Sequence, residues 1–215
     1  MKKIFMFMLT VVFAAGVFAQ NGVIRDLTGD VELKPIGASA FTAASVGDEI
    51  NMNTIISTGF RSTAVVAIGS SVITVRPLTR LSLAEIQSAD NTENVNVNLQ
   101  AGRVRVDVSP PAGTRTNFTV QSPSATASVR GTSFEFDTIN LNVHEGKVIF
   151  GGNTGPSEIV NGGFFTLVGA DGTAINPVEV TSSSTMPSMP VGSSDAVSQP
   201  AVTGSGNMSI ELEYQ

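Results

Sequence analysis

The chain has 215 residues, with 12 lysine and arginine residues against 18 aspartate and glutamate residues, giving a formal charge of -6 at pH 7. This acidic balance argues against general nucleic-acid binding, which depends on clustered positive charge facing phosphates. The absence of cysteine excludes thiol catalysis, disulfide bonds and zinc sites built from cysteine. Hydrophobic residues make up 41% of the chain, which is enough for a folded core.

Residues 1–19 have the pattern of a secretory signal peptide. Lys2 and Lys3 precede an uncharged run from Ile4 to Ala19, which is shorter than the roughly 20 residues of a membrane-spanning helix. Small side chains near Ala19 fit signal peptidase cleavage. We therefore predict an exported protein, periplasmic or else at the cell surface or secreted, with no membrane-spanning segment after cleavage. An uncleaved membrane anchor is the alternative interpretation.

Short segments of alternating apolar and polar residues follow, separated by turn residues such as glycine, asparagine and aspartate. This period-two pattern predicts strands with one buried face, and the clearest segments are Asp30–Leu33, Thr63–Ile68, Val72–Val75, Leu81–Ile86, Glu93–Leu99, Gly102–Val108, Asn117–Val120, Ser133–Ile139, Lys147–Phe150 and Phe164–Val168. No long segment keeps a helical apolar stripe. We predict an all-β domain over residues 20–176, folded as a twisted, solenoid-like or sandwich-like structure.

Two neighbouring segments, 93–99 and 102–108, alternate most strictly. If they pair as a hairpin, their valines share one face and their polar side chains share the other. The predicted candidate ligand face then consists of Asn94, Asn96, Asn98, Arg103 and Arg105. Amides and guanidinium groups suit hydrogen bonding to glycans or anionic polymers. The alternative is an ordinary solvated sheet surface.

The composition changes at Pro177. Residues 177–207 are rich in serine, proline and glycine, which predicts a flexible linker or tail. Residues 208–215 alternate again and could form a terminal strand, either within the domain or added to a partner's sheet. A frayed terminus is the other interpretation.

No catalytic set stands out. His144 is the single histidine, and it lies in a predicted strand end next to a turn, with no nucleophile elbow in the sequence. Glu135 and Asp137 alternate with phenylalanines, as expected for the solvent side of a half-buried strand. A phosphate-binding loop and a calcium loop are also absent from the sequence. We predict a non-enzymatic protein without cofactor or metal.

Several motifs occur in an order that resembles the FecR domain. The matching segments are Gly29–Pro35, Val46–Ile50, Ile55–Gly59, Ser62–Val66, Ser71–Thr79, Val97–Val106, Phe118–Pro123, Ala125–Phe134 and Val143–Phe150. Among them Ala125–Phe134 is similar to the family signature "a-x-V-R-G-T-x-F", and Val143–Phe150 is similar to the following "V-x-E-G-x-V". The resemblance covers roughly residues 29–151.

The resemblance implies a compact, twisted β domain on the outer side of the cytoplasmic membrane. In the iron-uptake regulators that give the family its name, this domain relays a signal from an outer-membrane receptor to a sigma factor. Here the first 19 residues read as a signal peptide instead of an anti-sigma segment. We therefore expect an interaction or signal-relay module of the bacterial cell envelope with a protein or glycan partner. A structural glycan- or cell-wall-binding protein is the alternative.

The signature residues Arg130, Gly131, Thr132 and Phe134 have two interpretations. Gly131 would supply a backbone bend and Phe134 a core side chain, while Arg130 would bind turn carbonyls or a carboxylate. A direct ligand contact is the other interpretation. The resemblance implies the structural one, because family members with different roles share the signature.

Overall fold

A computed structural model describes residues 21–179. Within this range the chain forms strands and no helix, and we number the strands in chain order. Sheet A contains nine of them, namely β1 (Gly22–Thr28), β4 (Glu49–Ile50), β6 (Thr63–Ile68), β7 (Ser71–Val75), β10 (Arg103–Val108), β13 (Ser133–Asp137), β14 (Asn140–Glu145), β17 (Phe164–Leu167) and β18 (Val178–Glu179). Sheet B contains the other nine, namely β2 (Val31–Lys34), β3 (Thr42–Ala43), β5 (Ile55–Thr58), β8 (Arg80–Ala89), β9 (Thr92–Ala101), β11 (Arg115–Gln121), β12 (Ala125–Val129), β15 (Lys147–Gly152) and β16 (Glu158–Asn161).

The chain crosses repeatedly between the two open sheets. The spatial order is β4-β1-β6-β7-β10-β13-β14-β17-β18 in sheet A and β3-β2-β5-β8-β9-β11-β12-β15-β16 in sheet B. Apart from the first pair in each sheet, spatial order follows chain order, so each new strand or hairpin extends the structure in one direction. The cross-section is therefore a sandwich and the path of the chain is solenoid-like.

The core lies between the sheets because alternate side chains of each strand point inward. Its largest members include four fully buried phenylalanines, Phe134 and Phe136 from sheet A and Phe118 and Phe150 from sheet B. The rings of Phe136 and Phe150 meet edge to face across the core, with centroids 6.0 Å apart. One continuous apolar cluster therefore joins the two sheets.

Buried hydroxyl groups connect the places where the chain crosses between sheets. Thr79 Oγ1 donates a hydrogen bond to the carbonyl of Arg103 and accepts one from its N–H, both at 3.0 Å. Ser62 Oγ accepts from the Asp30 N–H at 2.8 Å. Thr132 Oγ1 donates to the Lys147 carbonyl at 3.1 Å. These bonds satisfy backbone groups that leave one sheet before entering the other.

The all-β prediction is confirmed, and both the sandwich-like and the solenoid-like descriptions apply. The predicted strand Leu81–Ile86 lies within β8. Strand β18 continues to Glu179, three residues past the predicted boundary at Asn176. The predicted signal peptide, the linker beyond Glu179 and the terminal strand at 208–215 lie outside the described residues.

Candidate functional site

The predicted hairpin of segments 93–99 and 102–108 is wrong. Strand β9 pairs with β8 and with β11 in sheet B, whereas β10 pairs with β7 and β13 in sheet A. The polar side chains of both strands do face outward, but on opposite sides of the sandwich. Asn94, Asn96 and Asn98 therefore do not share a face with Arg103 and Arg105.

The arginines of sheet A pair with carboxylates instead of asparagines. Strand β10 aligns with β13 so that Arg103 opposes Asp137 and Arg105 opposes Glu135. Arg103 Nη2 lies 3.4 Å from Asp137 Oδ2, and Arg76 Nε lies 3.5 Å from Glu135 Oε1. A third ion pair joins Arg105 and Asp107 at 3.3 Å. The charged side chains in these contacts therefore neutralise one another.

An open depression of about 750 Å³ lies on the same face. Its charged lining consists of Arg76, Arg103, Glu135 and Asp137, and the exposed side chains of Leu78 and Ile139 complete its rim. Because each of these charges already has a partner of opposite sign within 4.0 Å, a ligand would have to displace an existing ion pair to bind here.

Asp137 is the most heavily bonded carboxylate of this depression. Partial burial alone would raise its pKa, but hydrogen bonds from the backbone N–H groups of Ile139 and Asn140, from the Asn140 amide, and the nearby Arg103 charge together hold that pKa below its ordinary value of 3.8. These bonds fix the turn between β13 and β14. The ionised form of Asp137 therefore stabilises the folded state.

This predicts a defined pH dependence for Asp137→Asn. A lowered folded-state pKa means that the stabilisation is present above the ordinary carboxyl pKa and is lost as pH falls through the lower folded-state value. We expect Asp137→Asn to be less stable than the wild type near about pH 6, with the difference shrinking toward about pH 3. Urea unfolding at several pH values measures this, with Asp26→Asn, at an exposed position on β1, as the control. A stability difference independent of pH would contradict the assignment.

On the outer face of sheet B, Asn94, Asn117 and Arg130 are joined by consecutive side-chain hydrogen bonds, which we call the amide chain. Asn117 Nδ2 donates to Asn94 Oδ1 at 2.8 Å. Arg130 Nε donates to Asn117 Oδ1 at 3.1 Å, so within residues 21–179 the signature arginine binds a side-chain amide and neither a turn carbonyl nor a carboxylate. Asn96 and Asn98 occupy outward positions on the same strand as Asn94.

The remaining signature residues lie where the chain passes from β12 in sheet B to β13 in sheet A. Gly131 has φ +79°, which is the left-handed region that side chains other than glycine rarely adopt. Thr132 is 4% exposed, and its hydroxyl group donates a hydrogen bond to the backbone carbonyl of Lys147, at the start of β15. Phe134 is fully buried. The geometry gives Thr132 and Phe134 structural contacts and Gly131 a structural conformation, whereas the Arg130 side chain is exposed.

Catalytic candidates are sparse in the structure. His144 is exposed near the end of β14. Across residues 21–179 there is no group of three or more histidine, cysteine, aspartate or glutamate side chains placed to hold a metal ion. The same range contains no helix that is both long and apolar enough to cross a membrane.

Glu93 is a buried carboxylate that the sequence analysis missed. Its Oε2 atom accepts hydrogen bonds from Ser70 Oγ at 2.8 Å and Thr116 Oγ1 at 3.4 Å, and Oε1 has no hydrogen-bond partner in the described structure. The contact ties the β6–β7 turn of sheet A to sheet B. The burial of Glu93 could have been predicted from the sequence, because Glu93 alternates in phase with Val95 and Val97, whose side chains point into the core.

Comparison with known proteins gives one family match. Residues 54–149 match the family model described as FecR protein. This range includes the signature, whereas the predicted opening motifs at 29–35 and 46–50 lie outside it. No curated protein shows significant similarity to the chain.

Two crystal structures of a candidate anti-sigma factor from Parabacteroides distasonis ATCC 8503 are similar to this chain. The structure at 1.65 Å resolution has a TM-score of 0.47 and 16% identity, covering 58% of this chain and 59% of the other. The structure at 2.50 Å resolution has a TM-score of 0.48 and 17% identity, covering 60% of each. The chain thus spans about three fifths of the length of those structures. The family match therefore shows that residues 54–149 of this chain are similar to the FecR protein family.

Proposed function

We propose that this chain is a non-enzymatic, exported module of the bacterial cell envelope that binds a partner and relays a signal. The observation that carries the proposal is the FecR match over residues 54–149, which supports a signalling or regulatory role. The signal-peptide pattern of residues 1–19 supports export, most simply to the periplasm.

The chemistry of the described side chains also supports binding over catalysis. The carboxylates Glu135, Asp137 and Asp107 are held in ion pairs with arginines. A general acid or base needs a free proton-transfer position in a cleft with a tuned pKa. The pKa of Asp137 is shifted downward, which favours a permanently ionised structural group.

A second candidate function is structural binding to a glycan or to the cell wall. It is favoured by the amide chain on sheet B, where Asn94, Asn117 and Arg130 form consecutive hydrogen bonds on an outward face. Amides and guanidinium groups are suitable hydrogen-bond partners for sugar hydroxyls and for carboxylated polymers.

Co-purification from the native envelope tests the proposal. The full chain, tagged at its C terminus and expressed in the producing organism, is cross-linked, extracted and purified, and the N-terminal peptide of the mature chain is identified by mass spectrometry. We expect a chain that begins at Gln20 in the envelope fraction, together with an enriched partner protein.

Two outcomes would contradict this proposal. One is a cytoplasmic chain that retains residues 1–19. The other is enrichment on peptidoglycan or polysaccharide with no protein above background, which would favour the glycan-binding alternative.

A further inference from the structure

Within residues 21–179, some cations of the sandwich have an ion-pair partner and others do not. On sheet A, three arginines each have an ion-pair partner within 4.0 Å, namely Arg76, Arg103 and Arg105. On sheet B, the exposed cations Arg130 and Lys147 form no ion pair within the part of the chain that the structure describes. Other cations in the described range also form no ion pair, so the distinctive feature of Arg130 and Lys147 is that they lie side by side.

Arg130 and Lys147 are close neighbours on the sheet. Val129 pairs with Val148 across β12 and β15, so Arg130 and Lys147 follow directly beyond this pair. Both line the same open depression of about 780 Å³. The bond from Arg130 Nε to Asn117 orients the guanidinium group, while its terminal nitrogens make no hydrogen bond within residues 21–179. Those nitrogens are therefore available to an acceptor.

No carboxylate forms an ion pair with Arg130 or Lys147 within residues 21–179, although Glu145 is two residues from Lys147 and Glu158 is next to Ile159. Glu85 lies on the same outer face, paired with Asn96, but it is three strands away from Arg130. Adjacent strands are about 4.8 Å apart, so the separation is roughly 14 Å, beyond the Debye length of about 8 Å in physiological salt. Glu145, at the end of β14, forms no ion pair with either cation among the described residues.

Exposed aliphatic side chains adjoin the cations. Ile149 and Ile159 oppose each other across β15 and β16 and are 54% and 62% exposed. Single exposed apolar residues are ordinary on protein surfaces. Here two β-branched side chains are in direct register beside two cations that form no ion pair within residues 21–179, and Ile159 lies on the edge strand of the sheet.

We propose that this surface, defined by Arg130, Lys147, Ile149 and Ile159, binds an extended acidic segment of a partner protein. The inference rests on the proposed function and specifies its partner. Carboxylates would pair with Arg130 and Lys147, and aliphatic side chains would cover the isoleucines. A protein segment fits better than a glycan, because exposed isoleucines adjoin the cations and the lining of this depression contains no aromatic ring for a sugar to stack on.

The surface has two rows of side chains, the cations Arg130 and Lys147 and the isoleucines Ile149 and Ile159. The spacing between these rows predicts the sequence of the partner segment. Lys147 and Ile149 are two residues apart on β15 and point to the same face. An extended segment parallel or antiparallel to β15 would match both rows if an acidic residue lies two positions from an aliphatic one. An acidic residue directly beside an aliphatic one would place the two side chains on opposite faces of the segment and match only one row.

Peptide titration tests this directly. The probe is acetyl-Gly-Thr-Glu-Thr-Leu-Thr-Gly-amide, added to the isotope-labelled full chain and followed by backbone amide shifts. We expect shifts confined to β12, β15 and β16, and weaker binding as salt increases. The double variant Arg130→Gln with Lys147→Gln should bind about threefold to tenfold more weakly, as expected for exposed ion pairs. Ile149→Ser with Ile159→Ser should weaken binding similarly. Arg25→Gln and Ile36→Ser, at exposed positions elsewhere, should leave binding unchanged.

Three results would overturn the inference. They are equal binding of a peptide with glutamine in place of glutamate, equal binding of a peptide with glutamate and leucine adjacent, and binding of polygalacturonate in preference to either peptide. The titration does not require the native partner. Failure of the titration alongside a recovered envelope partner would reject this surface alone. A positive titration without any envelope partner would reject the proposed function.

Discussion

Replacing Phe134 by alanine is expected to lower the free energy of unfolding by about 3 to 5 kcal/mol, the usual cost of truncating a fully buried phenylalanine. Phe134 opposes Val106 on β10 and Val143 on β14, and both valines are also fully buried. The neighbouring strands are held by their own ladders and cannot collapse into the space. Most of the ring volume would therefore remain as a cavity in the core, beneath the middle of sheet A.

Urea unfolding followed by circular dichroism measures the effect. Phe60→Ala is the matched control, because the Phe60 side chain is 71% exposed and its loss should cost less than about 0.5 kcal/mol. Phe134→Leu keeps the experiment informative if the alanine variant does not fold, with an expected cost of about 1 kcal/mol. Equal midpoints for Phe134→Ala and Phe60→Ala would show that the signature phenylalanine does not support the core.

The strands themselves could be predicted because alternation is a local property. In the segment Gly102–Val108, each valine is buried and each arginine faces outward, as the period-two pattern predicts. The same holds for the valines and asparagines of Glu93–Leu99. Glu93 could have been identified as buried from its phase, although nothing nearby in sequence identifies Ser70 and Thr116 as its partners.

The pairing of strands could not be predicted in the same way. A short link between two strands normally indicates a hairpin, yet Gly102 carries the chain from sheet B to sheet A. The contacts that define this crossing come from Thr79, which is distant in sequence. Without the pairing, the carboxylate that binds Arg103 of β10 could not be predicted either, since Asp137 belongs to β13.

The parallel pairing of β9 with β11 also results from the crossing of the chain between the two sheets. Between these two strands the chain crosses to sheet A, runs back as β10 and returns to sheet B, so β11 has the direction of β9. Asn94 and Asn117 then lie side by side and their side-chain amides form a hydrogen bond. Asn117 in turn accepts a hydrogen bond from Arg130. The candidate binding surface on sheet B is thus a product of topology, and its residues are separated in sequence.

Gly102→Ala is expected to destabilise the protein by roughly 2 to 6 kcal/mol, combining about 1 to 3 kcal/mol of left-handed backbone strain with about 1 to 3 kcal/mol of overpacking. Gly102 has φ +88°. A methyl group there would lie 2.5 Å from Thr79 Cα and 2.7 Å from the Leu78 carbonyl oxygen. Both are backbone atoms, so a change of side-chain rotamer cannot relieve the contact. The crossing must move, which weakens the hydrogen bonds between Thr79 and Arg103.

Gly113→Ala separates the two contributions, because Gly113 has nearly the same backbone conformation, with φ +83°, and no atom lies within 4 Å of the added methyl position. It should cost only the strain, about 1 to 3 kcal/mol. The difference between the two variants in urea unfolding therefore measures the close contact at Thr79. Hydrogen exchange adds a local measurement, since the Arg103 amide should lose protection in Gly102→Ala and keep it in Gly113→Ala. If both variants lost the same stability, close packing at Thr79 would contribute nothing, and backbone conformation alone would account for glycine at this crossing.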